Sequence, residues 1–460
     1  MNRHVHFIGI GGIGMSGIAK LFITRGAARV SGSDVKETSL ISLLRSKGAD
    51  IFIGHAKENL GDADLVVYSS AIAEDNPELA EARRSSRRVI KRAQALAELM
   101  REQKVITVTG AHGKTTTASL ISCLLMEAKM CPSVVIGGIL NNIQDNACHG
   151  DGGFFVAEAD ESDGSFLYYN PLYSVITNLD DEHMDYYRDF NYLKRCFSDF
   201  IDKTAVGGCV FACGDDSNLR QILSKYTEDF LFFGLGKDNH IYASNIKMDG
   251  LSSEFDCIYK NKNIGRFKLS LGGKHNISNS LSVVALGLKL GINKSIISSA
   301  LQGYKGSGRR IQVKYQDSRC ALIDDYAHHP TEIKATLSAV NNLKYKRMVV
   351  IFQPHRYSRT QRLFDEFTKC FSGADVLIIT DIYPASEKPI PGVDAQNLAL
   401  AIAKAMPGSR VCFTPKDKIK EHVIDGLNKE DLILTLGAGD ITRISDEIAE
   451  ELSKQNKNKT

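Results

Sequence analysis

Short apolar runs alternate with amphipathic stretches over most of the chain. In the first part, the runs that predict strands are residues 4–10, 28–31, 51–53 and 65–68. Residues 15–24, between the first two runs, repeat their apolar positions at helical spacing. Strands that alternate with helices indicate a parallel α/β domain, and we expect this one to span residues 1–102.

Two further series of the same kind follow. Their predicted strands are residues 104–109, 154–157, 174–177 and 209–211, then 348–352, 376–379, 411–413 and 432–436. Residues 240–271 alternate differently and contain short Gly or Asn turns, which favours antiparallel hairpins. We therefore predict three tandem α/β domains, at residues 1–102, 103–307 and 308–460. The outer two are predicted to be Rossmann-like, and the central one carries the antiparallel β addition.

The composition is typical of a globular protein without a membrane segment. Hydrophobic residues make up 43% of the 460 residues and charged residues 24%, with a formal net charge of +3 at pH 7. That charge gives no reason to expect a nucleic-acid partner, and no apolar run approaches the ~18 residues of a membrane span. The ten cysteines include no Cys-x-x-Cys pair, which favours free buried thiols. Without a signal-peptide pattern, we expect a cytoplasmic protein.

The pattern with the most specific chemistry is Thr-Gly-Ala-His-Gly-Lys-Thr-Thr at residues 109–116. It lies between a predicted strand and a predicted helix at 118–128, as a phosphate-binding loop does. Its glycines let backbone N–H groups surround phosphate oxygens, and the helix N-terminus adds positive charge. Lys114 can reach the β- and γ-phosphates and the Thr115 hydroxyl can bind Mg²⁺. We predict a site for ATP and Mg²⁺, although Val108 stands where the general pattern has its first glycine.

A second glycine-rich turn, Gly9-x-Gly11-x-x-Gly14, follows the first predicted strand and opens a helix. Asp34 lies 20 residues beyond Gly14, at the end of the next strand. In a dinucleotide fingerprint the glycines approach a diphosphate and the acid binds a ribose hydroxyl. A UDP-sugar carries the same two groups, so the pattern does not decide between NAD and a UDP-sugar.

Acidic residues and a histidine follow two of the central strands. Glu158 is the first of four carboxylates in residues 158–163, and His183 lies in a second acidic segment, residues 178–185. The carboxyl ends of parallel strands are the ligand side of a sheet, and Mg²⁺ prefers hard oxygen ligands that it shares with phosphates. We predict Glu158 as the first metal ligand and His183 as the second. A helix cap or a surface charge is the alternative for any one carboxylate here.

Polar clusters further along the chain complete the candidate site. Asn276 and Asn279 open a helix, where an amide either caps the N-terminus or binds an adenine edge. Residues 306–310 are predicted to form a mobile junction, and an arginine there would stabilise phosphate charge. Residues 323–330 and 353–360 each follow a strand, and their arginines suit a carboxylate or phosphate partner.

Together these motifs resemble the Mur ligases of peptidoglycan synthesis. Six of them occur in that family's order, from Gly9 to the Leu-Gly-Ala-Gly-Asp segment at 436–440. The phosphate loop without its first glycine is the family's own form. The resemblance implies an ATP- and Mg²⁺-dependent ligase that joins L-alanine to the carboxylate of UDP-N-acetylmuramate through an acyl phosphate.

The resemblance also implies roles for individual residues. It assigns to the UDP-sugar Gly9, Gly11, Gly12, Gly14, Asp34, His55, Ser69, Ser70 and Ala71. It assigns to ATP Gly110, Ala111, His112, Gly113, Lys114, Thr115, Thr116, Asn276, Asn279, Arg310 and Asp325. It assigns Tyr326, His328, Arg356 and Arg359 to the amino acid; Thr115, Glu158 and His183 to the metal; and Lys114, His183, Arg310 and His328 to catalysis.

One feature of several Mur ligases is missing. They carry a carbamylated lysine 14 residues after the motif histidine, where this chain has Phe197. The alanine-adding branch of the family is similar in lacking that lysine, which favours that branch.

Other functions stay open at this point. A ligase that adds a tripeptide would share the first two domains, whereas a folylpolyglutamate ligase would not need the turn at residues 9–14. A nucleotide-sensing regulator would not need an intact Lys114 and Glu158, and a nicotinamide dehydrogenase leaves the phosphate loop unexplained. We expect a monomer or a weak homodimer, with the third domain closing over the second near residues 306–308.

Overall fold

The apolar runs form the strands of three β-sheets in the computed structural model, which describes residues 3–227, 229–385 and 387–457. By its contacts the chain divides into two compact units. Unit 1 takes the described residues up to Ser244, with Asp256–Phe267 and Ser278–Lys305; unit 2 takes Asn245–Phe255, Lys268–Ile277 and the described residues from Gly306. The predicted class, α/β with three tandem domains, is confirmed, while the boundaries at 102 and 307 stay predictions.

The first sheet, in unit 1, is parallel. Its strands are β1 His4–Ile8, β2 Arg29–Asp34, β3 Asp50–Ile53, β4 Leu65–Tyr68 and β5 Arg88–Lys91, with helices α1 Ile13–Thr24, α2 Ser39–Ser46, α3 Pro77–Arg84 and α4 Arg92–Met100. The strand order is β3-β2-β1-β4-β5. Strand β1 ends before the predicted residue 10 because Gly9 turns the backbone with a φ of +81°.

The second sheet carries the phosphate loop. Its strands are β6 Lys104–Thr109, β7 Ser133–Leu140, β8 Asp145–Cys148, β9 Phe154–Glu158, β10 Tyr173–Ile176, β11 Cys209–Cys213, β12 Phe230–Gly234, β13 Ile241–Asp249, β14 Ser252–Tyr259 and β15 Lys262–Leu269. Its helices are α5 Lys114–Glu127, α6 Met184–Tyr187, α7 Phe190–Ile201, α8 Ser217–Leu223, α9 Lys274–Lys289 and α10 Lys294–Gln302. Strand β6 pairs in parallel with both β10 and β9, so the carboxyl ends of these three strands meet at one edge.

The residues predicted as antiparallel hairpins form the consecutive strands β13, β14 and β15. Two-residue turns join these neighbours, and such short turns connect only antiparallel strands. Lys260 and Asn261 both have positive φ, +47° and +62°, as the common two-residue hairpin turn requires.

The third sheet lies in unit 2. Its strands are β16 Gln312–Gln316, β17 Cys320–Asp325, β18 Arg347–Phe352, β19 Val376–Ile379, β20 Arg410–Phe413 and β21 Asp431–Leu436, with helices α11 Pro330–Val340, α12 Tyr357–Arg362, α13 Phe364–Phe367, α14 Ala395–Ala405, α15 Ile419–Asp425 and α16 Ile441–Lys457. The order is β16-β17-β21-β18-β19-β20, antiparallel only between β16 and β17.

This sheet is buried on both faces, which explains its continuous apolar runs. Along β18, Val350 packs in a cluster with α11 and α14, while the next residue, Ile351, packs in a second cluster with α16. Successive side chains of a strand point to opposite faces, so the sheet has one core on each side.

Two expectations drawn from composition concern the whole chain. The ten cysteines are free thiols, and seven are buried as predicted, but Cys148 and Cys412 are half-buried and Cys131 is exposed. Among the described residues, none of the helices has the length and apolar character needed to cross a bilayer.

Candidate active site

Two glycines shape the loop between β6 and α5. Gly110 has a φ of +122°, and a Cβ there would collide with the Thr177 hydroxyl. Gly113 precedes α5 with a φ of +82°, and a Cβ there would lie 2.9 Å from Nδ2 of Asn279. Glycine tolerates this conformation and this crowding, so the loop is fixed by close neighbours on both sides. Asn279 thus lies against the phosphate loop, as its assignment to ATP requires.

Lys114 folds back over its own loop. Its Nζ donates to the Gly110 carbonyl at 2.6 Å and lies 2.7 Å from Oε1 of Glu161. Burial opposes the charge, but the carboxylates of Glu161 and Asp160 outweigh it and raise the pKa of Lys114. Burial raises the pKa of Glu161 to about 7. The ammonium is therefore charged and in place, and a bound phosphate would compete with Glu161 for it.

Thr115 and Glu158, both predicted metal ligands, are brought together. Oγ1 of Thr115 lies 3.2 Å from Oε2 of Glu158, at the end of β9. The amide of Gly137 donates to the other carboxylate oxygen at 2.7 Å, and a Cβ at Gly137 would lie 2.8 Å from Oε2. The pair offers hard oxygen donors beside the phosphate loop, a donor set that fits Mg²⁺.

His183, the other predicted metal ligand, lies next to Glu161. Its Nε2 is 3.8 Å from Oε1 of Glu161 and 3.6 Å from Oε2 of Glu182. The same Glu161 oxygen faces Lys114, so Glu161 connects the histidine to the phosphate loop. Phe197 is buried against Phe166, with ring centroids 5.2 Å apart.

His112 of the phosphate loop is held by the segment after β10. Its amide donates to Oδ1 of Asn178 at 2.8 Å, and its Nε2 lies 2.9 Å from Oδ2 of Asp180. These contacts use the acidic segment for loop positioning, a role that the sequence did not suggest for Asp180.

The turn after β1 is built on β2. The amides of Gly9 and Ile10 donate to the Ser33 carbonyl at 2.8 and 3.0 Å, and the Gly11 amide donates to Oδ2 of Asp34 at 2.8 Å. Asp34 therefore lies at the turn, as its position in the fingerprint predicts, and α1 begins just beyond it.

His55 joins this turn through the hydroxyl of Ser33, which also contacts the buried carboxylate of Glu78. Ser33 donates its hydroxyl proton to Oε2 of Glu78 at 2.5 Å, and Nδ1 of His55 lies 2.9 Å from the same hydroxyl oxygen. Since a hydroxyl has one proton, Ser33 accepts from Nδ1–H of His55. A neutral His55 then carries its lone pair on Nε2.

Glu78 stays ionised although it is fully buried. Burial alone would raise its pKa, but hydrogen bonds from His6, Ser33 and Asn59 lower it below the usual value. This residue was missed from the sequence, because only the fold brings α3 under β1 and β2.

The glycine turn and the phosphate loop open onto one cavity of about 360 Å³ within unit 1. Its lining includes Gly12, Gly14, Ser69, Ser70, Arg92, Lys114 and Glu158. Helices α1 and α5 therefore direct their positive N-terminal ends toward the same space. Ser69 and Ser70 follow β4, and the Ala71 amide donates to Oγ of Ser69 at 3.3 Å.

In unit 2, the carboxylate of Asp325 binds the backbone just before β16 and just after β17. Its Oδ2 accepts from the Ile311 amide at 2.7 Å and its Oδ1 from the Ala327 amide at 2.8 Å. Burial raises its pKa. Arg310 lies with its guanidinium 5.1 Å from the ring centre of Tyr326. Asn276, also in this unit, donates its side-chain amide to the Gly272 carbonyl at 2.7 Å.

Two of the residues predicted to bind the amino acid, Tyr326 and His328, belong to a row of rings near the carboxyl ends of β17, β18 and β19. Tyr326 lies 5.3 Å from His328, His328 lies 5.5 Å from His355, and His355 stacks on Tyr383 at 5.5 Å. Burial, helped by His328 and the nearby arginines, lowers the pKa of His355 to about 3. Its neutral Nδ1 faces Nη1 of Arg359 at 3.0 Å and accepts a hydrogen bond from it.

Arg356 immediately precedes α12, the helix that carries Arg359. It has a φ of +69°, and its amide donates to the Tyr383 carbonyl at 2.8 Å. The Tyr383 amide donates to Pro354 at 2.8 Å. Neither His355 nor Tyr383 was selected from the sequence; the signal available was that each follows a strand of the third series.

Family models match three consecutive parts of the chain. The model described as Mur ligase family, catalytic domain, matches residues 4–104; the Mur ligase middle domain matches 108–287; and the Mur ligase, glutamate ligase domain matches 309–439.

Relatives and solved structures are similar over nearly the whole chain. A UDP-N-acetylmuramate–L-alanine ligase of Geotalea uraniireducens is 43% identical over 448 residues, covering 97% of this chain and 98% of the relative. A protein of the same name from Pelotomaculum thermopropionicum is 45% identical over 457 residues, covering 99% of each. The UDP-N-acetylmuramate-alanine ligase structure of Thermotoga maritima matches with a TM-score of 0.85 at 28% identity, covering 99% of this chain and 100% of that one. A murein peptide ligase of Psychrobacter arcticus shares the fold, with a TM-score of 0.70 at 23% identity and 98% of each chain covered.

Proposed function

The chain belongs to the Mur ligase family, and from that premise we propose that it uses ATP to join L-alanine to the carboxylate of UDP-N-acetylmuramate, a step of peptidoglycan precursor synthesis. Relatives that carry the corresponding name are 43–45% identical over almost the full length. ADP and phosphate are the other products.

The shared cavity is the observation that supports this proposal most strongly. A ligase of this kind must bring the acid of one substrate to the γ-phosphate of another. Here the glycine turn, suited to a nucleotide diphosphate, and Lys114 of the phosphate loop line the same 360 Å³ space. A UDP-sugar bound at the turn would extend its sugar toward the phosphate loop.

In the first step, the substrate carboxylate attacks the γ-phosphorus of ATP, the bond to the β-γ bridging oxygen breaks, and ADP leaves. Such transfers depend mainly on positioning and charge neutralisation. The loop amides and the N-terminus of α5 bind the phosphates, and Lys114 exchanges Glu161 for a phosphate oxygen. Arg310 is assigned to neutralising the same phosphate charge.

The residues present fit a magnesium ion beside this loop. Thr115 and Glu158 supply hard oxygen donors 3.2 Å apart, and Gly137 leaves no side chain over them. We assign this ion to Thr115 and Glu158, and a second magnesium ion to His183. When bound, it would neutralise phosphate charge and help to orient the γ-phosphate.

In the second step, the neutral amine of L-alanine attacks the acyl carbon and phosphate leaves with the bonding electrons. The amine must lose a proton, and His328 is the candidate acceptor. Its Nδ1 faces the Tyr326 carbonyl at 3.1 Å and Oε2 of Glu332 at 3.2 Å, so that nitrogen carries the proton. The basic lone pair of the neutral ring is then on Nε2.

Arg356 and Arg359 are assigned to the carboxylate of the amino acid, which a planar guanidinium can bind through two hydrogen bonds. Neutral His355 accepts from Arg359, so it orients that guanidinium without adding a competing charge. We assign the three predicted domains, 1–102, 103–307 and 308–460, to the UDP-sugar, ATP and the amino acid in that order.

The test is phosphate release with ATP, Mg²⁺ and UDP-N-acetylmuramate, with L-alanine, glycine, L-serine or a tripeptide as the amine. The proposal predicts the highest kcat/KM with L-alanine. Preference for the tripeptide would identify a recycling ligase instead, and nucleotide binding without any phosphate release would identify a regulator.

A further inference from the structure

Arg92 is a cation that lines this cavity. The steps proposed above do not use it. It is the first residue of α4, its side chain is 22% exposed, and it lines the cavity together with Lys114 and Glu158. It also lies directly over the glycine turn, since a Cβ on Gly14 would be 3.0 Å from Nη1 of Arg92. The guanidinium therefore stands where α1 begins.

The partner of Arg92 is Asp160. Nη2 of Arg92 lies 3.3 Å from Oδ2 of Asp160, and the side chain of Asp160 is 39% exposed. A charge-assisted hydrogen bond between such groups is usually 2.7–2.9 Å long, so this ion pair is loose. A guanidinium in a loose pair can change partner when a stronger acceptor arrives.

A diphosphate is the anion that this position suits. Helix α1 begins after Gly12, which has no side chain to form a cap hydrogen bond with the first turn of the helix. The N-terminal residues of α1 line the cavity. Phosphate oxygens at this N-terminus would lie beside Nη1 of Arg92. A planar guanidinium then supplies paired donors for them.

We propose that Arg92 binds the diphosphate of the UDP-sugar and that Asp160 holds the guanidinium in place until the ligand arrives. This inference rests on the proposed function, because it assumes that the glycine turn receives a UDP-sugar. It makes Arg92, from a different helix, the cation that the turn itself lacks.

The experiment measures the binding of UDP and, separately, of UDP-N-acetylmuramate by calorimetry without Mg²⁺ or ATP, in the wild type and in four variants. We expect Arg92→Gln to weaken binding on the order of tenfold or more, the effect of losing hydrogen bonds to a charged group. Asp160→Asn should bind UDP at least as tightly as the wild type, because it releases the guanidinium. In Arg92→Gln/Asp160→Asn that advantage should disappear, because the two effects act through one group. Arg84→Gln, at the end of α3 with a side chain that is 77% exposed, is the matched control and should bind UDP like the wild type.

A purely structural tether between Arg92 and Asp160 predicts a different pattern. Both single variants would then weaken UDP binding alike, and the double variant would be no worse than either; that result would overturn the proposal. So would unchanged UDP affinity in Arg92→Gln, or a loss confined to UDP-N-acetylmuramate, which would assign Arg92 to the lactyl carboxylate. Binding of UDP by the wild type separates these failures from failure of the proposed function, in which the wild type binds neither ligand.

Discussion

Two strand–glycine–helix turns open onto the same cavity, and they acquire their charged groups differently. The phosphate loop contains its own cation, Lys114, which hydrogen-bonds within the loop. The turn after β1 has no basic residue from Gly9 to Gly17. Its acid, Asp34, comes from β2, and the cation over it, Arg92, comes from α4.

The difference explains why one turn is specific in sequence and the other is not. Where the charges lie within eight residues, the motif alone predicts the chemistry. Where they come from separate elements, the motif predicts only that a diphosphate fits, and the fold supplies the remaining groups.

Replacing Lys114 should have the largest effect on turnover, because the phosphate loop carries its cation on this one side chain. We expect Lys114→Ala to lose alanine-dependent ADP release by on the order of 10²–10³-fold, about 2.7–4 kcal/mol, by analogy with a lost oxyanion donor. Steady-state turnover measures this loss. Lys104→Ala, on the exposed start of β6, is the control; normal turnover by Lys114→Ala would contradict the ATP-site assignment.

The two turns should also respond differently to an added methyl group. Gly110→Ala places a Cβ at a φ of +122° against Thr177 and the backbone of Asn178, which we expect to destabilise the fold by ~3 kcal/mol or more. Gly12→Ala meets only ordinary contacts, the nearest 3.5 Å away, so the fold should tolerate it. The midpoints of urea unfolding compare the two.

The second half of that comparison is ligand binding. Gly12→Ala should still weaken UDP binding, because the methyl group occupies the approach to α1. Full affinity in that variant would show that the turn does not receive the diphosphate, and equal stability of the two variants would remove the structural contrast.

Features that depend on neighbouring residues in the chain could be predicted from the sequence. The three series of strands, the hairpins at 240–271, the phosphate loop and the position of Asp34 all follow from local patterns. Helix α5 begins at Lys114 instead of the predicted residue 118, because the loop geometry at Gly113, and not apolar spacing, determines its start.

Long-range contacts account for what was missed. Arg92 lies at the start of α4, and only the packing of that helix directs it into the cavity. Glu161 was one of four neighbouring carboxylates, and the sequence does not say that it, and not Glu158, faces Lys114. His355 and Tyr383 meet because β18 and β19 are neighbours in the sheet.

Glu158→Gln examines the metal assignment on the phosphate-loop side. The variant keeps the size of the side chain but removes its charge, so we expect the Mg²⁺ concentration for half-maximal activity to rise about tenfold or more. A magnesium titration at saturating ATP measures it. Asp151→Asn, at an exposed carboxylate between β8 and β9, should leave the requirement unchanged, and an unchanged requirement in Glu158→Gln would remove Glu158 from the metal site.

An effect on stability alone is expected at the other turn, through Glu78. Since the folded state lowers the pKa of Glu78 below its ordinary value, its ionisation stabilises the fold above that ordinary pKa, about 4.3. That contribution is lost as the pH falls through the folded pKa. Glu78→Gln should therefore cost roughly 1.5–2 kcal/mol at pH 7, and its deficit should shrink toward pH 3.

Thermal unfolding of the wild type and Glu78→Gln between pH 7 and pH 3 measures this change. Glu58→Gln, an exposed residue of the same region, is the control. A deficit that grows on acidification would mean that Glu78 is protonated in the folded protein.

Both turns are expected to serve one reaction in one cavity. The decisive measurement is phosphate release in the presence of ATP, Mg²⁺, UDP-N-acetylmuramate and L-alanine. We expect rapid release only when all four are present, with one phosphate formed for each amide bond. Phosphate release that is indifferent to the UDP-sugar or to L-alanine would contradict it.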